Sequence, residues 1–130
     1  MHKTFGLPKK QKLKSRKSID AVFAGGKGFS VFPIRTTYLL AEGEAGLQVG
    51  VGASKRNFKK AVHRNRIKRL LREAFRLQKG SLLESVERQN KKLVVFFTYT
   101  DKILPTFAVV KEAMAKCLAR LEQKSNEEPS

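Results

Sequence analysis

The chain has 130 residues, enough for one domain with a real core and too few for two comfortable ones. It carries 28 Lys and Arg against 11 Asp and Glu, a net charge of +17, yet 41% of it is hydrophobic, so composition excludes disorder and points to a polyanionic partner. One cysteine excludes an internal disulfide and fits a reducing cytoplasm, and no apolar run suits a signal peptide or a membrane span.

Residues 1–14 hold Lys3, Lys9, Lys10, Lys12 and Lys14 with Gly6 and Pro8. They read as a basic flexible tail, either solubilising or in contact with RNA phosphates. Ser15 or Ser18 can cap a short helix to about Ala24, which Gly25-Gly26 ends. Ile19, Val22 and Phe23 form its apolar side at i, i+3 and i+4. Phe29–Phe32 is a short strand stopped by Pro33. Ile34–Ala41 is a second strand, with Thr36, Tyr38 and Leu40 on one side and Thr37, Leu39 and Ala41 on the other. A turn over Glu42–Gly46 leads to a third, in which Leu47, Val49 and Val51 alternate with Gln48, Gly50 and Gly52. The glycines leave a bare surface for another backbone or a ligand.

The next stretch is the most informative. From Lys55 to Arg72 it carries Lys55, Arg56, Lys59, Lys60, Arg64, Arg66, Lys68, Arg69 and Arg72, with no acid until Glu73. Ile67, Leu71, Ala74 and Phe75, with Leu70, fall on one face of a helix. At about 100° per residue, Asn65, Arg69, Arg72 and Arg76 gather opposite, flanked by Arg64 and Arg66. Such a helix is a rigid rack for phosphates, because a guanidinium can give two parallel hydrogen bonds to one phosphate. A solvated charged face is usually of mixed sign, and this one is not. It also lacks the aromatic face of a membrane-surface helix. Asn57 is the expected cap and Gly80 lies beyond the helix end at about Lys79. Phe58 is either a staple to the core or an exposed contact.

Ser81–Lys92 reads as a polar helical turn or connector, and Leu93–Tyr99 as a buried strand. After a turn over 101–105, Thr106 can cap a last helix with Val110, Ala113, Met114, Cys117, Leu118 and Leu121 inside. Residues 123–130 read as a polar tail, leaving 15–122 as a single domain. The order is helix, three strands, helix, strand, helix. It predicts an α/β (α+β) two-layer sandwich on a four-stranded sheet, containing a βαβ unit.

Hydrolytic groups are not apparent. His2 is in the tail, His63 opens the basic helix, and Cys117 is on a core face. Neither Glu42 with Glu44 nor Glu84 with Glu87 has the spacing of a two-metal site. No phosphate loop or zinc spacing appears. A cationic chain with this inventory is expected to bind a polyanion rather than to act as an autonomous nuclease.

The segment Arg64-Asn65-Arg66-Ile67-Lys68-Arg69-Leu70-Leu71-Arg72-Glu73-Ala74-Phe75-Arg76 closely resembles the signature of the protein component of bacterial ribonuclease P. That family takes part in removing the 5′ leader from precursor tRNA. The resemblance runs from about Leu13 to Leu121 and implies a left-handed βαβ crossover. It implies that an RNA subunit holds the metal ions, Mg2+, and performs the hydrolysis, with no cofactor in the protein itself. Arg64, Asn65, Arg66, Lys68, Arg69 and Arg72 would dock one protein to one RNA subunit. Ile19, Phe23, Tyr38, Lys55 and Arg56 would line a cleft for the single-stranded leader. Ile19 stands where some members carry an aromatic, and Ile19 and Phe23 fit a core face equally well. Composition and charge also suit a ribosomal protein or a general RNA chaperone; the motif alone separates these readings.

Overall fold

The computed structural model describes residues 11–13 and 15–127. The elements are α1 (Arg16–Gly25), β1 (Lys27–Val31), β2 (Ile34–Ala41), β3 (Gly46–Ala53), α2 (Ala61–Gln78), α3 (Gly80–Arg88), β4 (Lys92–Tyr99) and α4 (Phe107–Glu127). The strands form one four-stranded sheet in the order β1-β2-β4-β3. β1 pairs antiparallel with β2, and β2 with β4, whereas β3 and β4 are parallel and joined by a crossover through α2 and α3.

Strand parity explains the layers. Ile34, Tyr38, Leu47, Val49, Leu93, Val95, Phe97 and Tyr99 point to one face, where α2, α3 and α4 cover them. Ile67, Leu71 and Phe75 of α2, Leu82 and Val86 of α3, and Val110, Met114, Cys117 and Leu121 of α4 complete this core. Burying each such side chain contributes about 1.5–3 kcal/mol. Burial pushes the Cys117 thiol up from its ordinary range, as suits a packing residue. The other face is covered only in part, by Val22 of α1 and by Leu13, which pack on Val94.

Local chemistry sets the ends. Ser15 caps α1, its Oγ accepting from the Ser18 amide at 3.3 Å. Thr106 does the same for α4, accepting from the Val109 amide at 3.3 Å. Phe32 and Pro33 form the β1–β2 turn, so the first strand ends one residue earlier than the apolar run suggests.

Several expectations are corrected. Asn57 does not cap α2; its amide nitrogen instead donates to the carbonyls of Thr100 and Asp101, each at 3.4 Å. Lys60 takes the cap position, with no side-chain hydrogen bond. Of the two readings of Ser81–Lys92, helical turn or connector, the first holds and extends to a helix, α3, burying Leu82, Ser85 and Val86. It closes where Asn90 adopts a left-handed φ of 57° and the Lys91 amide donates to the Val86 carbonyl at 2.9 Å. The expected tail at 123–130 is helical through Glu127, because Ser125 is buried and its carbonyl accepts from Lys91 Nζ.

The expected basic tail also departs from expectation where it is described. Gln11 and Leu13 are buried, Lys12 bridges Val49 in parallel, and the Leu13 amide donates to the Val49 carbonyl at 2.9 Å. This short strap lies along the outer edge of β3. Lys79 Nζ holds it by donating to Gln11 Oε1. Residues 1–10 and 14 of that expectation lie outside the described residues.

Leu82→Ala is expected to lower the free energy of unfolding by about 2–5 kcal/mol in urea titration, as for other buried leucines. A loss far below that range would mean that α3 is a loose connector after all.

Candidate nucleic-acid interface

The azimuth of α2 is fixed by Ile67, Leu71, Ala74 and Phe75, all buried under the sheet. The remaining residues have no choice of direction. Asn65, Arg66, Arg69 and Arg72 are exposed, and Lys68 is half-buried. Arg76 is neutralised by Glu73, with Nη2 2.7 Å from Oε2. Among the described residues, no ion pair involves Arg66, Lys68, Arg69 or Arg72.

Arg64 is half-buried and turned toward the backbone. Its Nη1 donates to the carbonyls of Phe58 and Lys59, each at 2.8 Å. It therefore braces the segment that enters α2, where Phe58 is buried with its ring 6.0 Å from that of Tyr99. Phe58 is thus a core staple. Burial, and then the charge of Asp101, raise the pKa of Tyr99, whose hydroxyl donates to the Ile103 carbonyl at 2.5 Å.

The sheet face that α1 only partly covers forms a groove beside this helix. Register puts Thr37 beside Phe96, Leu39 beside Val94 and Gly50 beside Phe96 on that face. The Phe96 ring lies over the two glycines: a Cβ on Gly50 would come within 2.7 Å of it, and one on Gly52 within 3.0 Å. The bare surface expected at these glycines is therefore occupied by an aromatic ring from the next strand. Phe23 of α1 stands 5.1 Å from Phe96 between centroids, tilted by 60°, and is 52% exposed. Lys12, Leu13, Ile19, Arg72 and Phe96 line the groove with the backbone of β3.

The residues expected at a cleft fall in different places. Ile19, half-buried, lines the groove, and the exposed Phe23 adjoins it through its ring contact with Phe96, while Val22 anchors the helix. Tyr38 is not in the groove. It pairs with Val95, is 3% exposed and packs its ring 6.2 Å from that of Phe29 in the main core. Strand parity separates it from Leu39, but the side it takes is the helix-covered one. Lys55 and Arg56 are exposed in the turn after β3, outside the groove lining. Phe96 lines the groove although no local pattern in the sequence marks it; only its place beside the glycines of β3 reveals it.

A family model for ribonuclease P matches residues 7–122. The chain belongs to the ribonuclease P protein family. A ribonuclease P protein component from Porphyromonas gingivalis is 42% identical over 121 residues, 91% of this chain and 88% of the relative. One from Dictyoglomus thermophilum is 35% identical over 83 residues, 64% of this chain and 68% of its own. The solved ribonuclease P protein of Thermotoga maritima superposes with a TM-score of 0.66 at 22% identity, covering 84% of this chain and 96% of that one. That last likeness speaks for the fold.

As a member of the ribonuclease P protein family, the chain is the protein subunit of a ribonucleoprotein endoribonuclease acting in tRNA 5′ processing. The arrangement fits an RNA-binding subunit: unpaired guanidinium groups on one helix adjoin an aromatic groove, and Arg72 borders both. No helix among the described residues is long and apolar enough to cross a membrane. Nor do the described residues bring together a group of three or more His, Cys, Asp or Glu suited to a metal ion.

Tyr38→Ala is expected to act on stability, lowering the unfolding free energy by about 3–5 kcal/mol as large aromatic truncations in cores do. Its thermal unfolding, compared with wild type, distinguishes this from a contact residue, whose removal would leave the midpoint unchanged.

Proposed function

We propose that the exposed face of α2 docks this subunit on the catalytic RNA of ribonuclease P, and that the Phe23–Phe96 groove grips the single-stranded leader of precursor tRNA. The carrying observation is the row Arg66, Lys68, Arg69 and Arg72, which no acid among the described residues neutralises. Such a row lowers the electrostatic cost of joining two polyanions and releases their counterions. Asn65 adds an amide that can donate to phosphate or sugar. Arg64 contributes from behind, by fixing how α2 begins. The protein binds phosphates and shape rather than base sequence.

In this reading the RNA performs the hydrolysis and holds the Mg2+ it requires. The protein contributes affinity for the substrate. One protein binds one RNA, and the particle works in the cytoplasm. The groove supplies what a single strand needs, namely ring faces for stacking beside positive charge. Phe23 and Phe96 are the rings; Lys12 and Arg72 are the charges at the groove.

The test is single-turnover cleavage of a leader-bearing precursor tRNA at low magnesium, with the protein alone, the RNA alone and both together. Rapid, correctly placed cleavage with both components only is the expected result. Cleavage by the protein alone would overturn the division of labour.

Arg66→Ala and Arg69→Ala are each expected to weaken assembly with the RNA and to reduce the slope of log affinity against log salt by about one. Titrations at several salt concentrations read both effects. Phe23→Ala is expected to weaken binding of precursor tRNA by roughly fivefold or more, the scale of one lost base stack, while mature tRNA binds as before. An equal loss for both substrates would remove Phe23 from the leader contact.

A further inference from the structure

Neither of those contacts uses the apolar side chains at the far end of the sheet, where β2 begins and β3 and β4 stop. Three loops meet there: the β1–β2 turn, the segment between β3 and α2, and the segment between β4 and α4. They are stitched together. The Pro33 carbonyl accepts from the Thr100 amide at 2.8 Å and from its hydroxyl at 3.0 Å. The Asn57 side chain donates to the Thr100 and Asp101 carbonyls, and the Tyr99 hydroxyl to that of Ile103.

This braced end displays an unusual combination. Phe32 is 73% exposed and Ile103 71%, with Leu104 beside it in the chain at 38%. Lys55, Arg56 and Lys102 are exposed in the same set of three loops. The lone acid of these loops, Asp101, accepts from the Lys102 amide at 2.7 Å. An exposed ring held by a rigid turn amid cations is the composition that grips unpaired nucleotides. The opposite end of the sheet carries exposed Glu42 and Glu44 in the β2–β3 turn. There the Lys92 side chain lies against Gly43, between the two acids, so that end is of mixed sign, whereas Lys55, Arg56 and Lys102 outnumber the single acid at the Phe32 end. Thr37 shares a face with Phe96, and the exposed Arg35, two residues back on β2, continues that face toward Phe32.

We propose that Phe32 is a second stacking platform, which takes an unpaired base of the leader after the strand has crossed the groove. This inference rests on the groove being the leader's binding place. From Thr37, level with Phe96 in the groove, to the start of β2 at Ile34 is three residues, roughly 10 Å, and Phe32 lies just beyond, so only leaders that extend past the groove by more than that reach it.

The experiment measures binding of precursor tRNAs to the assembled holoenzyme, with leaders shorter and longer than that span and with mature tRNA as reference. Wild type, Phe32→Ala and Phe32→Trp are compared. Phe32→Ala is expected to lose roughly fivefold or more in affinity for the long leader, with short-leader and mature tRNA unchanged and Phe32→Trp restoring binding. The side chain faces solvent, so the unfolding midpoint of each variant should match wild type. Equal losses for all three RNAs would place Phe32 against another part of the particle and overturn the inference, as would no loss at all. Self-association of wild type in sedimentation that Phe32→Ala abolishes would instead make the patch a contact between copies, and would also overturn it. If wild-type holoenzyme bound long-leader and mature tRNA alike, the groove reading would fall first. Leader-dependent wild type with indifferent Phe32→Ala would sink this inference alone.

Discussion

Everything in this molecule depends on the seating of α2 against the sheet. Its cations repel one another, and like charges at i, i+3 or i+4 cost a few tenths of a kcal/mol per pair. Burying Ile67, Leu71 and Phe75 contributes about 1.5–3 kcal/mol for each side chain. The apolar stripe therefore wins, and a helix that would be marginal alone is held rigid. Because the stripe fixes the rotation of the helix, it also decides which cations face outward. The hydrophobic core is thus what aims Arg66, Arg69 and Arg72.

The second surface depends on a similar exchange between small and large residues. Glycines at positions 50 and 52 let the Phe96 ring lie against β3, and that ring in turn gives Phe23 a partner. Any side chain at Gly50 would have to push the ring aside. The aromatic pair is consequently a property of three elements, α1, β3 and β4, rather than of either phenylalanine. The strap at 11–13 closes the same groove along its outer edge, pinned by Lys79, whose pKa is lowered by burial and by neighbouring Arg76.

The sequence made the strands, the long helices and the outward row of α2 legible, because each rests on a local period. Ile67 to Phe75 could bury only one face, so Arg69 and Arg72 had to be exposed. What could not be read locally is which side of a strand becomes the core. Tyr38 and Leu39 have opposite parity, and only the packing of α4 tells which is inside. The helix α3 was hidden because its polar residues outnumber Leu82 and Val86, and because Asn90 closes it in place of a glycine. Asn57 looked like a cap by composition, yet its partners at Thr100 and Asp101 are distant in sequence. The strap at Gln11–Leu13 was masked by the lysines around it.

Arg72 belongs to the outward row of α2 and also to the lining of the groove. One guanidinium on both borders makes the two surfaces share a single positive potential. An anion held on one side partly neutralises what the other side offers, unless it also orders the side chain in a posture both can use. Either way the two occupancies are thermodynamically linked, and the linkage is reciprocal. Anion binding at one surface and at the other are then not separable equilibria: whatever one surface gains or loses when the other is occupied, that other experiences by the same factor.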